Sequence, residues 1–252
     1  MDLSPGTQAA LCGAALAAGF VDAIAGGGGL VTLPALLSAG IPVDFALGTN
    51  KGQSVFGSLA ATARFAAGGK IDGRRALVLF PLGFAGSLLG AWLVLRIPSE
   101  SLRPIVLVLL PAAAIAVLLR PTPAATAPGA PARNAGPVAA ALALLIGTYD
   151  GFFGPGTGTF LILGFVGLLR WSPVQASAEA KVVNFASNLA AVLVFAARGA
   201  ILWRVALPMA AAQFAGGLLG AHSALRVGDR LVRGAVALVV AGLMVKIALD
   251  LI

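Results

Sequence analysis

The sequence predicts an all-α polytopic membrane protein of two inverted repeats, each a short Gly-broken helical pair followed by three transmembrane helices. Three observations lead there: long windows without a charge, a set of matches at one offset along the chain, and an uneven distribution of Arg and Lys between the apolar segments. The solvent is settled first. Of 252 residues, 59% are hydrophobic and 10% charged, with a mean hydropathy of +0.99; a soluble domain carries about 25% charged residues. Leu3–Val21, Ala76–Leu95, Gly151–Leu169 and Val205–Leu225 contain no Asp, Glu, Lys or Arg, and each approaches the ~20 residues that cross a bilayer. The runs are continuous rather than alternating, which argues against a barrel.

The repeat follows from a shift of 130 residues. It lays Gly86, Leu88, Leu89, Gly90 and Ala91 over Gly216, Leu218, Leu219, Gly220 and Ala221, and Lys51, Arg74 and Arg103 over Lys181, Arg204 and Arg233. With a two-residue gap, Asp22 meets Asp150 and Gly26 meets Gly154. The first repeat is residues 1–119, a Pro/Ala-rich linker expected in the cytoplasm is 120–136, and the second repeat is 137–252. Apolar segments are expected at about 7–24, 29–40, 46–67, 75–95 and 104–119, then 137–153, 157–170, 178–197, 203–224 and 231–250. In each half the first two are short and separated by glycines. They read equally as two thin crossings, a re-entrant hairpin or one broken helix.

Orientation comes from the basic residues. If each short pair returns to its own side, ten Arg and Lys between the segments, Lys70, Arg74 and Arg75 among them, fall on one face, and Arg96, Arg103, Arg198 and Arg204 fall on the other. The alternative parity divides them eight to six. The positive-inside rule favours the first arrangement, with inverted repeats and both termini outside. Inverted repeats with interrupted helices are a recurring transporter plan. The net charge of +8 therefore reflects topology, and with no interleaving of aromatic and basic residues no nucleic-acid partner is expected. The partner is the lipid bilayer; a homodimer stays open. The lone Cys12 can form neither an internal disulfide nor a metal site, so no metal and no cofactor are expected. The start MDLSPGTQ has no positive n-region, and the first helix is expected to act as its own insertion signal. Trp92, Trp171, Trp203 and His222, near segment ends, read as interfacial.

Polar groups inside apolar segments cost free energy, about 2.5–3.5 kcal/mol for a charge at a helix centre, and those that survive face a cavity or a partner. LGTNKGQSVFGS carries Thr49, Asn50, Lys51, Gln53 and Ser54; AEAKVVNFASN carries Glu179, Lys181, Asn184, Ser187 and Asn188. Asn50 lies fourteen residues before Arg64 and Asn184 fourteen before Arg198, about 21 Å along a helix, inside a hydrocarbon core ~30 Å thick. The glycine runs Gly26–Gly29 and Gly154–Gly158, the second broken also by Pro155, are poor helix formers. Unwound backbone at membrane depth is tolerated where it lines a cavity, and its N–H groups at a helix start attract an anion. The expected substrate site is thus Asn50, Lys51 and Asn184, with Thr49, Gln53, Lys181, Asn188 and the backbone of Gly27, Gly28 and Gly156. Asp22 and Asp150 do not suit an anion; capping of freed N–H groups, pairing with Lys51 or Lys181, and proton carriage all stay open. The glycines also read as close helix packing, and the two roles can coexist.

The paired stretches GFVDAIAGGGGLVTLPAL with LGTNKGQSVFGS, and GTYDGFFGPGTGTFL with AEAKVVNFASN, resemble the TauE/SafE sulfite exporter family of bacterial membrane proteins over about residues 8–250. The resemblance implies transport of sulfite, an organosulfonate or a related small anion across the inner membrane; taken with the repeats, the chain is expected to be a secondary transporter, expectably an exporter, working by alternating access between the halves, and not an enzyme. The alternatives are a passive anion channel and, more remotely, an intramembrane aspartyl protease, in which two carboxylates share a proton. Asp22 lies in FVDA and not in the GxGD of such proteases, and GGGGLVT lacks the Lys of a P-loop.

Overall fold

The computed structural model describes residues 3–118, 135–228 and 230–231. Among these every regular element is a helix: α1 Pro5–Ala25, α2 Gly29–Ser38, α3 Val43–Ala67, α4 Gly73–Val94, α5 Ser99–Leu118, α6 Ala135–Phe152, α7 Thr157–Leu169, α8 Pro173–Ala197 and α9 Trp203–Val227. Five of them (α1, α4, α6, α8 and α9) are long and apolar enough to cross a bilayer. The apolar stretch 231–250 and the linker 120–136 lie outside the described residues, except Leu231, Ala135 and Gly136; the last two belong to α6 and not to a linker.

The helix boundaries recur at the offset seen in the sequence. α3 and α8 have 25 residues each, and α8 begins and ends 130 residues after α3. α4 and α9 begin at Gly73 and Trp203, α1 and α6 at Pro5 and Ala135, while α2 and α7 begin 128 residues apart, at Gly29 and Thr157. Local chemistry sets several of these starts. Ser4 caps α1 through Thr7 N, Ser172 caps α8 through Gln175 N, and Asp72 caps α4 through Arg74 N and Arg75 N. Pro5 and Pro173 occupy the first helical position, where no N–H is needed.

Packing exchanges helices between the halves. α1 lies along α9 and α6 along α4; α9 then packs on α3 and α4 on α8. Two bodies result, α1–α3–α9 and α6–α8–α4, each holding helices from both halves, and they meet along α3 and α8. Glycines make these seams close. A Cβ on Gly86 or Gly90 would fall well inside van der Waals distance of the Leu144 or Thr148 carbonyl of α6, and one on Gly216 or Gly220 would meet the Leu16 or Phe20 carbonyl of α1. Lipid offers no hydrophobic drive between apolar helices, so backbone approach through small residues is what holds them. Leu77, Leu145, Leu107 and Val108 point outward, where hydrocarbon rather than water meets them.

Only the second helix of each Gly-broken pair is short, α2 with 10 residues and α7 with 13; α1 and α6, expected to be short, have 21 and 18 and are long enough to cross, and a few non-helical residues interrupt each pair. Trp92 and Trp203 are exposed, as expected of interfacial rings, and Arg96 stacks over Trp92 at 3.5 Å. Trp171 is not exposed. It is buried against Phe165, with the Arg75 guanidinium 4.6 Å above it, because the turn into α8 folds it under the start of α4. His222 Nδ1 receives the Arg64 guanidinium at 2.9 Å, joining α9 to α3.

Candidate functional site

The site is built where the two interrupted pairs touch. At the end of α1 the chain turns through Gly26 (φ +75°) and Gly27 (φ +87°), a conformation that favours glycine. The break frees carbonyls of the last turn, and groups from the other half take them: Ser177 Oγ donates to Ala23 O and Ile24 O, and Thr159 Oγ1 donates to Ala25 O. At the end of α6 the chain turns through Gly154 (φ +101°) and Gly156 (φ +87°), and Tyr149 donates its hydroxyl to Pro155 O at 2.6 Å. The two breaks lie against each other. A Cβ on Gly26 would collide with Gly158 and Thr159, and one on Gly29 would come within 3.2 Å of Pro155 Cα.

Between them is a cavity of about 20 Å³, room for a water-sized guest. Asp22, Gly27, Gly29, Asn50, Lys51, Ser54, Asp150, Gly154, Gly156, Thr157, Gly158, Asn184, Asn188 and Gln213 line it. Residues from α1, α3, α6, α8 and α9 and both glycine breaks therefore converge on one point.

Two ion pairs cross between the halves. Lys51 Nζ lies 2.7 Å from Asp150 Oδ1, and Lys181 Nζ lies 2.7 Å from Asp22 Oδ2. Matched residues of the two repeats thus pair reciprocally, and with both pairs ionised the four charges cancel. Their surroundings differ. Asp150 also accepts Thr157 Oγ1 at 2.9 Å and Ser187 Oγ. Asp22 accepts, besides Lys181, the backbone N–H of Gly28 at 3.1 Å. At the sequence offsets, Thr157 corresponds to Gly29 and Ser187 to Gly57, so both hydroxyl donors are missing on the Asp22 side. The Asp22 side chain is also the more exposed, 18% against 5%.

The amides are oriented unequally. Asn50 Oδ1 accepts Thr32 Oγ1 at 2.5 Å and Gln53 Nε2 at 3.1 Å, which leaves its NH2 to the cavity. Asn184 Oδ1 and Gln213 Oε1 are buried with no hydrogen-bond partner among the described residues.

Of the residues expected from the sequence, Asn50, Lys51, Asn184, Asn188, Gly27, Gly156, Asp22 and Asp150 line the cavity together. Four stand behind its wall. Thr49 Oγ1 accepts the Leu202 N–H at 3.0 Å, Gln53 orients Asn50, Lys181 is wholly buried on Asp22, and Gly28 holds Asp22 by its N–H. The capping and pairing roles left open for Asp22 are both present in its contacts. Sequence reasoning missed Thr32, Thr157 and Gln213, and left Ser54 and Ser187 of the two polar clusters out of the expected site. Ser and Thr are common enough in membrane helices to carry no signal, but Gln213 is a lone amide in the charge-free window Val205–Leu225. The cost argument that singled out Asn50 applies to it equally.

The family model for the sulfite exporter TauE/SafE matches residues 11–247. The chain is 40% identical over 239 residues to "Probable membrane transporter protein ORF9" of a Sinorhizobium species, covering 94% of this chain and 90% of that protein. It is 35% identical over 240 residues to "Probable membrane transporter protein YfcA" of Escherichia coli (94% and 87% covered). It is 38% identical over 237 residues to a "Probable membrane transporter protein" of Haemophilus influenzae (92% and 91% covered). No solved structure matches the chain.

Proposed function

The chain belongs to the TauE/SafE family of multi-pass membrane transporters, and from that premise we propose that it is a secondary transporter exporting sulfite, an organosulfonate or a related small oxyanion across the bacterial inner membrane by alternating access. It is a transporter and not an enzyme. The observation that carries the finer reading is the small polar cavity at the contact of the two glycine breaks, walled by reciprocal Lys–Asp pairs and amides.

In the mechanism we propose, the anion takes Lys51 from Asp150. A buried ion pair that loses one partner is strongly penalised, but Asp150 keeps the hydroxyls of Thr157 and Ser187, which lowers the cost of the exchange. The Asn50 NH2, held toward the cavity by Thr32 and Gln53, and the starts of α2 and α7 supply further donors. Asp22, with fewer donors and more exposure, is the proton carrier. Its protonation removes a negative charge from the cavity wall as the anion arrives.

The cavity of about 20 Å³ is smaller than a sulfite ion, which marks a contracted conformation. Admission requires the two breaks to part, and the exchanged bodies α1–α3–α9 and α6–α8–α4 supply the surfaces that rock along α3 and α8. The repeats are read as inverted, so that one motion opens one face as it closes the other. The contracted cavity weighs against a standing pore. The pairing of each Asp with a lysine, not with the other Asp, weighs against a protease dyad.

Proteoliposomes loaded with sulfite or a sulfonate test the reading. Asn50→Ala and Asn184→Ala abolish flux while the protein still inserts, and wild-type flux saturates with concentration. Normal flux in both variants overturns the site, and a non-saturating, voltage-driven current overturns the transporter in favour of a channel.

A further inference from the structure

Gln213, like Asn50 (opposite Ala180) and Thr157 (opposite Gly29), is a polar side chain of the cavity that the duplication does not repeat. At the 130-residue offset its counterpart is Gly83. The surroundings differ to match. Gln213 lies in a slot cleared by Gly19 of α1 and Gly57 of α3: a Cβ on Gly57 would lie 2.6 Å, and one on Gly19 2.9 Å, from Gln213 Cγ. Their counterparts on the other side are Gly147 and Ser187. There Gly147 packs on the Gly83 backbone, and the Ser187 hydroxyl is engaged with Asp150. Gly19 packs on the Gln213 carbonyl in the same way, so what differs is that Gln213 extends over Gly57, where the opposite wall carries the Ser187 hydroxyl, already in use.

Its amide is almost uncommitted. The residue is 1% exposed, its Nε2 reaches Ser54 Oγ only at 3.5 Å, and its Oε1 has no partner among the described residues. Leaving a buried amide oxygen unpaired costs about 1–3 kcal/mol, and an amide held by neither end can turn its NH2 inward at little cost. Asn50 is different, because two donors fix its oxygen.

We propose that Gln213 contacts the transported anion directly and sets the largest anion the cavity admits. This rests on reading the cavity as an anion site. Gln213 lines the cavity with Ser54 and Asn188, so the length of its side chain limits the space there, and its NH2 supplies a donor in addition to the repeated Lys–Asp pairs.

The test uses the full chain in proteoliposomes, with sulfite and then methane-, ethane- and propanesulfonate as probes. In wild type, uptake falls with chain length. Gln213→Leu keeps the bulk and removes the amide: the KM for sulfite rises about tenfold or more, as expected for losing one hydrogen bond to a charged group, and the size limit stays. Gln213→Ala and Gln213→Asn shorten the side chain: the longer sulfonates gain relative to sulfite, more in the alanine variant. Asparagine keeps an amide and so remains informative where alanine fails to fold. Unchanged sulfite KM in the leucine variant together with an unchanged size series in the shortened ones overturns the proposal while the anion site stands. Wild type that moves none of the four probes overturns the anion site and this inference with it.

Discussion

Removing Lys51 while keeping Asp150 is the sharpest perturbation of the site. At 2.7 Å and an effective dielectric of about 20, two unit charges attract by about 6 kcal/mol. Much of that is offset by the desolvation of both groups, so the net value of the pair is far smaller. Breaking it from one side is another matter, because the carboxylate is left buried and uncompensated, at about 3–5 kcal/mol. Thr157 and Ser187 still donate to Asp150, which places Lys51→Met at the lower end, about 3 kcal/mol. Asp150→Asn leaves the lysine as the orphan, with no hydroxyl acceptor in its contacts, and is expected to cost more. The double variant Lys51→Met/Asp150→Asn removes both charges and recovers at least about 2 kcal/mol relative to the sum of the single effects. Chaotrope titration in detergent micelles, followed by tryptophan fluorescence, measures all three. If the double variant is as unstable as the sum of the singles, the two residues are not coupled, and the account of a charge-balanced cavity fails. Transport is lost in Lys51→Met and in the double variant, since both remove the cation offered to the substrate.

Other expectations follow from the same geometry. Asp22→Asn keeps an acceptor for Gly28 N–H but carries no proton: anion exchange across the liposome continues, and its dependence on an imposed pH gradient disappears, while a retained dependence places the proton elsewhere. Thr32→Val releases the Asn50 carbonyl from its 2.5 Å donor and raises the KM for the transported anion severalfold without preventing insertion, so an unchanged KM shows that Asn50 needs no such orientation. Gly90→Ala forces a methyl against the Thr148 carbonyl and Phe152 N of α6 and destabilises by about 1–3 kcal/mol. Gly13→Ala, in mid-α1 with open space around it, stabilises by about 0.5–1 kcal/mol, and thermal denaturation of the two variants in detergent should move in opposite directions.

The sequence alone determined the solvent, the positions of the spans and the interruptions within them. Hydrocarbon leaves a backbone almost no alternative to the helix, so charge-free length and glycine position are local signals that translate directly into α1, α4, α9 and the breaks at Gly26 and Gly154. It also marked Asn50, Lys51 and Asn184, because a polar group in lipid needs a reason wherever it is found. What only the tertiary structure decided is which groups meet. Lys51 and Asp150 are 99 residues apart, and Lys181 and Asp22 are 159 apart. Nothing local distinguishes those pairs from pairs within one half. The exchange of α4 and α9 between the two bodies, the burial of Trp171, and the placing of Thr49 and Gln53 behind the wall of the cavity likewise depend on how helices cross. That crossing is set by glycines matched across seams such as Gly90 with Thr148 and Gly220 with Phe20. Such complementarity belongs to two surfaces at once and is written in neither segment by itself.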